Sequence, residues 1–150
     1  LFCAAFLFLQ QGCVKDTCSK TYTYTYFQPV YKTTAEVRAN IKSNAPKAVT
    51  NPGKIYIKDN YIFLIEVNKG IHIIDNTNPA SPKNFAFIDI PGNVDIAVKG
   101  NIMYADFYTD LVAMDISNPL NVSVTKFVNG VFPERFYYGF NVDYTKVVYD

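Results

Sequence analysis

The side chains that could carry chemistry in this sequence are few and scattered. The one histidine, His72, stands between Ile71 and Ile73 inside a β-like run, a place where an imidazole packs or hydrogen-bonds locally rather than serving as a general base. Asp106 and Asp110 flank a predicted hairpin, and together with Asp95 they could imitate a carboxylate pair. Solvation of hairpin ends accounts for them more simply. No GxSxG, P-loop, GxGxxG or HExxH pattern occurs, so nucleophile-elbow, phosphate-cradling and zinc readings find no footing in these residues. The cysteines, Cys3, Cys13 and Cys18, form no CxxC and have no histidine set around them, and so give no metal pattern. Asn121-Val122-Ser123 fits a glycosylation sequon. The residues predict no catalytic group, no metal and no cofactor.

What does recur is a turn. Asp75-Asn76-Thr77-Asn78-Pro79 is matched forty positions later by Asp115-Ile116-Ser117-Asn118-Pro119, and a period of about 40 residues is what a four-stranded propeller blade leaves in a sequence. Each Asp stands where a strand gives way to a loop, so its carboxylate can accept backbone N–H groups of the next two residues in an Asx-type turn. Pro79 and Pro119 then remove an N–H and push the preceding Asn to an extended conformation, so the strand cannot continue. The roles of Asp75, Asn78, Pro79, Asp115, Asn118 and Pro119 are structural, and no DxDxDG-type loop accompanies them to suggest a cation.

The elements around these turns follow the same period. Ile57-Lys58-Asp59-Asn60-Tyr61-Ile62-Phe63 lies over Val98-Lys99-Gly100-Asn101-Ile102-Met103-Tyr104, and Gly70 to Asp75 over Asp110 to Asp115. The first unit reads as four strands, roughly Lys54 to Lys58, Tyr61 to Val67, Ile71 to Asp75 and Lys83 to Ile90. Asp59-Asn60 and Gly100-Asn101 suit two-residue hairpins that need positive φ, and Asn68-Lys69-Gly70 suits a three-residue hairpin with Gly70 left-handed. The unbroken apolar run Tyr61-Ile62-Phe63-Leu64-Ile65 predicts burial on both faces. Phe136-Tyr137-Tyr138 and Val142 to Tyr149 read as strands of a third unit that begins near Arg135 and stops in mid-pattern at Asp150.

At these residues the chain resembles the LVIVD-repeat family, whose name echoes Ile71-His72-Ile73-Ile74-Asp75 and Leu111-Val112-Ala113-Met114-Asp115, each followed by an Asn-Pro turn. The resemblance covers about residues 53 to 130, and His72 and Ala113 depart from the family's pattern. It implies a bacterial β-propeller-like protein, often exported, and carries over no catalytic residue.

The expected fold class is therefore all-β, with about two full four-stranded blades, the start of a third and one short N-terminal helix. Since rings use four to eight blades, the sequence reads as a fragment lacking blades, and exposed faces and edges are expected to make it prone to aggregation. The composition agrees with a globular β-rich chain: 49% hydrophobic, 12 Tyr and 12 Phe, net charge +1. That balance gives no sign of nucleic acid as a partner.

Ahead of the repeats, Leu1 to Leu9 is uncharged and apolar, too short to span a bilayer but suited to a signal-peptide core. Gln10-Gln11-Gly12-Cys13 follows and resembles a bacterial lipobox, which implies an acylated Cys13 and membrane lipid as a partner. Val14-Lys15-Asp16 looks like the Lys-plus-acid tract of some surface lipoproteins of the Bacteroidetes. The expected organisation is a signal remnant over 1–12, a tether over 13–20 and an incomplete repeat domain over 21–150, anchored in the outer membrane on its periplasmic or outer face.

Between tether and repeats, Thr21 to Phe27 alternates Thr with Tyr22, Tyr24 and Tyr26. This predicts a strand that closes a sheet, or an aromatic platform for sugar rings. Thr33-Thr34-Ala35-Glu36 has capping-box spacing, and a helix from about Thr34 to Lys42 follows, with Val37 and Ile41 on one face and Arg38 solvated, or else paired with a repeat acid. The function predicted from all this is a non-catalytic, lipid-anchored binding or assembly module that contacts envelope proteins or glycans. The alternative is an envelope hydrolase or lyase whose catalytic residues lie in other blades.

Overall fold

The computed structural model describes residues 20–26, 28–137, 139, 141–143 and 145–149. The chain runs β1 (Tyr31–Lys32), α1 (Thr34–Ala39), β2 (Ser43–Asn44), β3 (Pro52–Lys58), β4 (Tyr61–Glu66), β5 (Gly70–Asp75) and β6 (Lys83–Asp89). It continues through β7 (Ile96–Lys99), β8 (Ile102–Phe107), β9 (Asp110–Asp115), β10 (Ser123–Val128) and β11 (Val147–Val148). Strands β3 to β6 form one antiparallel meander and β7 to β10 a second. The two units are the expected all-β blades, and they do not close into a ring.

Side-chain alternation along the strands gives each blade two faces. In the first blade Phe63 stands opposite Ile73, and Ile73 opposite Ala86. In the second, Met103 stands opposite Val98 and Met114, and Ala105 opposite Ile96 and Val112. These faces pack on each other: Phe63, Ile71, Ile73 and Ile88 share one cluster with Met103, Ala105, Val112 and Met114, all 0% exposed except Ala105 at 1%. Each such large side chain contributes about 1.5–3 kcal/mol by leaving water.

The pairing Ile57–Ile62 in the first blade is the register equivalent of Val98–Met103 in the second. The second blade's Val98–Met103 face is covered by its neighbour, whereas the equivalent face of the first leaves Ile55 61% and Ile57 62% exposed. The far end of that open face is capped by residues 47–51, so His72 and Phe87 on it are fully buried.

The N-terminal helix forms as its capping box requires: the Glu36 carboxylate accepts from the Thr33 N–H at 2.8 Å, and the Glu36 N–H donates to the Thr33 hydroxyl at 3.2 Å. It ends at Ala39, short of Lys42, because the Asn40 N–H turns back to Val37 and Arg38 carbonyls. Val37 and Ile41 still enter the core. Beyond it, β2 adds to β6 as a fifth strand of the first blade, and the Ser43 hydroxyl bonds Pro119 O and the Val122 N–H of the second.

Two expectations are corrected and one is extended. In the β4–β5 hairpin Gly70 has the expected positive φ, at +146, and Asn68 takes a left-handed conformation as well, at φ +64. A Cβ on Gly70 would also fall 2.0 Å from Ile88 O, so close backbone approach adds to the demand for glycine. Residues 20–26 form no strand, and Tyr22, Tyr24 and Tyr26 are 66%, 81% and 82% exposed. Alternating β formers give propensity, but a strand needs a partner edge, and the pairing edge goes to β1, bonded to β11. Of the third unit, only Val147–Val148 is a strand among the described residues, and it pairs with Tyr31–Lys32 instead of starting a blade.

Two substitutions separate the covered face from the open one. Met103→Ala is expected to lower unfolding free energy by about 2–4 kcal/mol, and Ile57→Ala by less than about 1 kcal/mol, measured by denaturant melts. Replacing Tyr22, Tyr24 and Tyr26 together by Ala is expected to leave the melting temperature unchanged.

Candidate functional site

The repeated turns use both of their polar side chains. Asp75 Oδ1 accepts the Thr77 N–H and Asp115 Oδ1 the Ser117 N–H, each at 2.8 Å. Asn78 Oδ1 accepts the Ala80 N–H at 3.2 Å, and Asn118 Oδ1 the Leu120 N–H at 3.1 Å. Asn118 is extended at φ −119, ψ 97, and Pro119 opens a single 3-10 turn that leads to β10. The side-chain and backbone groups of Thr77 hold Asp75 below the usual carboxylate range, and those of Ser117, backbone first, do so for Asp115. All of this geometry serves to stop the third strand of each blade and redirect the chain to the fourth.

The densest polar cluster lies at the end of β4. Glu66 is buried and accepts the Thr50 N–H at 3.0 Å, the Asn51 N–H at 2.5 Å and the Thr50 hydroxyl. His72 Nε2 approaches Glu66 Oε2 at 3.0 Å, and its Nδ1 faces the Asn84 amide nitrogen at 3.4 Å. An Nε2–H donated to the carboxylate leaves Nδ1 to accept from Asn84, so both ring nitrogens are used. Burial pushes the Glu66 carboxyl up, but the hydrogen bonds from Thr50, His72 and Asn51 outweigh it and hold it down to about 2. The chemistry of this cluster is loop capture: one carboxylate ties residues 50–51, the entry to β3, to the end of β4.

A parallel arrangement holds the second blade. Asp106 Oδ1 accepts the Val94 and Asp95 N–H groups, each at 2.9 Å, and the Asn93 amide at 2.8 Å. Asp106 is only 8% exposed, so the expectation of a solvated hairpin carboxylate is corrected: backbone donors entering β7 supply what water would. Glu66 and Asp106 are 40 residues apart, but the β4–β5 loop is one residue longer than the β8–β9 loop, so they sit one register position apart. An acid recurs at the ends of the second strands, Glu66 as the last residue of β4 and Asp106 as the last but one of β8, and that spacing is the sequence signal for the pair. The Asp-x-x-Asn-Pro turns share the same period and mask it, so that Glu66 does not stand out in the sequence.

Asp110 is also taken up. Its Oδ2 accepts Arg38 Nη2 at 2.6 Å and its Oδ1 the Gly130 N–H at 3.0 Å. Arg38 thus takes the alternative to solvation, pairing with a repeat acid, and it also lies over the Phe127 ring at 4.4 Å and donates to Asn129 Oδ1 at 2.6 Å. The helix thereby clamps the outer edge of the second blade. Asp95 is held separately by Lys54 at 2.5 Å. Among the described residues no group of three or more His, Cys, Asp or Glu side chains is placed to hold a metal ion, and no helix is long and apolar enough to cross a membrane. Tyr22 and Tyr24 stand 6.3 Å apart, with a 30° tilt between their rings. Cys13, with everything else up to residue 19, lies outside the described residues.

Two successive segments, residues 52–88 and 92–129, match the LVIVD repeat family. The chain belongs to the LVIVD repeat family. Each matched LVIVD segment coincides with one meander, β3 to β6 or β7 to β10, so a family unit is a blade here. No curated protein and no solved structure matches the chain. Within both LVIVD units the residues spaced by 40 are those that fix turns and loop entries.

Because the Glu66 pKa is depressed, its stabilisation is present above its ordinary value of 4.5 and is lost as pH falls from there towards about 2. Glu66→Gln is expected to cost on the order of 3 kcal/mol at pH 7. The cost should shrink across that acid window in paired denaturant melts of the two proteins. Asp75, Asp95, Asp115 and Asp143 are held low as well, so only the difference between the two curves reports Glu66.

Proposed function

We propose that this LVIVD-repeat chain is a non-catalytic binding or assembly module of the bacterial cell envelope, attached to the outer membrane by acyl chains on Cys13. The observation that carries the reading is where the reactive side chains are committed. Glu66, His72, Asp75, Asp106, Asp110 and Asp115 each bond groups of the blades or of the helix and loop packed on them. Such residues fix the positions of loops, and loops on a rigid scaffold are where recognition is ordinarily carried.

The anchor rests on the apolar Leu1 to Leu9 followed by Gly12-Cys13. Acyl chains gain about 0.8 kcal/mol per buried methylene, and more than one chain makes attachment durable. Lys15-Asp16, one residue beyond the cysteine, favours an address on the periplasmic or the outer face of that membrane. Partners in this reading are membrane lipid and an envelope protein or glycan met by the blade loops. Cys13→Ser is expected to abolish incorporation of labelled fatty acid and to move the protein into the soluble fraction. Continued labelling, or a variant that still sediments with membranes, overturns the anchor.

A further inference from the structure

The β4–β5 loop, the link from β6 to β7, the β8–β9 turn and the segment around β11 converge on one groove, whose walls include Asn68, Lys69, Gly92, Tyr108, Arg135 and Tyr149. Tyr108 is its most constrained part. It takes φ +52 at the first position of a two-residue turn, a conformation in which a bulky side chain is an outlier held by its surroundings. What holds it is visible: a Cβ on Gly92 would fall 2.9 Å from Tyr108 Cδ1, and the Arg135 guanidinium lies 5.5 Å from the ring centroid. Only glycine at position 92 leaves room for that ring.

The groups left over in this groove are donors and cations. The Tyr108 hydroxyl has no hydrogen-bond partner among the described residues, and burial, then the nearby Tyr137, pushes its pKa up, which keeps it protonated. Arg135 donates to Asn68 Oδ1 at 2.7 Å, to Gly92 O and to Asp106 Oδ2 at 3.4 Å, and a guanidinium with five donors has more to offer. Lys69 is exposed, and its ammonium makes no ion pair among the described residues. The neighbouring acids are already engaged: Asp89 Oδ2 accepts from Asn40, Lys47 and Tyr149, and Asp106 from backbone N–H groups. Glu134 lines the adjoining cavity beyond Tyr108. Val148 and Tyr149 add an apolar floor, and Pro91 lines an adjoining cavity.

We propose that this groove binds an anionic saccharide, with the acid group held by the Tyr108 hydroxyl, Arg135 and Lys69 and the sugar ring resting against Val148 and Tyr149. Arginine and lysine suit carboxylate and phosphate oxygens alike, so either acid can supply the charge. The inference rests on the reading of the chain as an envelope binding module and names the ligand class of that module.

Titration calorimetry of the whole chain in detergent, with trigalacturonate, glucose 6-phosphate, maltotriose and inorganic phosphate in separate runs, tests it. Binding of trigalacturonate or of glucose 6-phosphate is expected, and which one binds identifies the acid. Maltotriose and inorganic phosphate are expected to bind at least about tenfold more weakly. Tyr108→Phe, which keeps the ring and its packing, and Lys69→Glu, an exposed change, are each expected to weaken binding about tenfold or more without moving the melting temperature. Equal affinity for maltotriose, no heat with either anionic sugar, or wild-type affinity in both variants overturns the proposal. The Cys13→Ser protein should bind the sugar as well as the parent does, so a failed anchor and a failed groove give separate results.

Discussion

The contact on which the rest of the structure depends is the packing of one four-stranded sheet on the next. Phe63, Ile71, Ile73 and Ile88 meet Met103, Ala105, Val112 and Met114 with almost no exposed surface. An isolated antiparallel meander has two faces and can bury neither alone, so stacking gives these short strands their stability. Among the described residues, the polar devices sit at the strand ends. The Asx turns stop β5 and β9, the buried acids tie the entering loops of β3 and β7 to the ends of β4 and β8, and α1 joins the shared core through Val37 and Ile41.

The buried carboxylates show how such a structure tolerates charge in its interior. Glu66 and Asp106 would each be costly without partners, and each is instead supplied with backbone N–H donors from a segment that would otherwise have to find water. The bonds therefore serve two needs together, satisfying an acid and ordering a loop. The same logic places Arg38 on Asp110 and on the face of Phe127, where its charge is neutralised and its plane is packed. The order imposed at the loop end of the blades is what gives Tyr108, Lys69 and Arg135 fixed positions relative to one another.

Membership in the LVIVD repeat family rests on segments that coincide with single blades, and the blades explain why the family pattern has its form. The Asp that closes each apolar strand and the Asn-Pro pair after it are turn chemistry, as are the left-handed residues Asp59 and Gly100 at the preceding hairpins. In the first blade the third-strand motif carries His72, whose ring packs edge-on against Phe87 at 4.8 Å and bonds Glu66. That departure from the family pattern is absorbed by a local hydrogen bond.

The sequence by itself determined the period, the four strands of each blade, the sites where they turn and the helix start at Thr33, because these follow from residue spacing, φ preferences and groups a few residues apart. Local rules could also mislead: Tyr22, Tyr24 and Tyr26 alternate as a strand would, yet propensity supplies no partner edge. Tertiary structure alone decided which of two equivalent apolar faces is covered, that Asp106 is buried while Asp75 is not, that Arg38 finds Asp110 across 72 positions, and that β1 pairs with β11. Those outcomes depend on which distant segments come to lie together, and neither the type of a residue nor its neighbours in sequence specifies that.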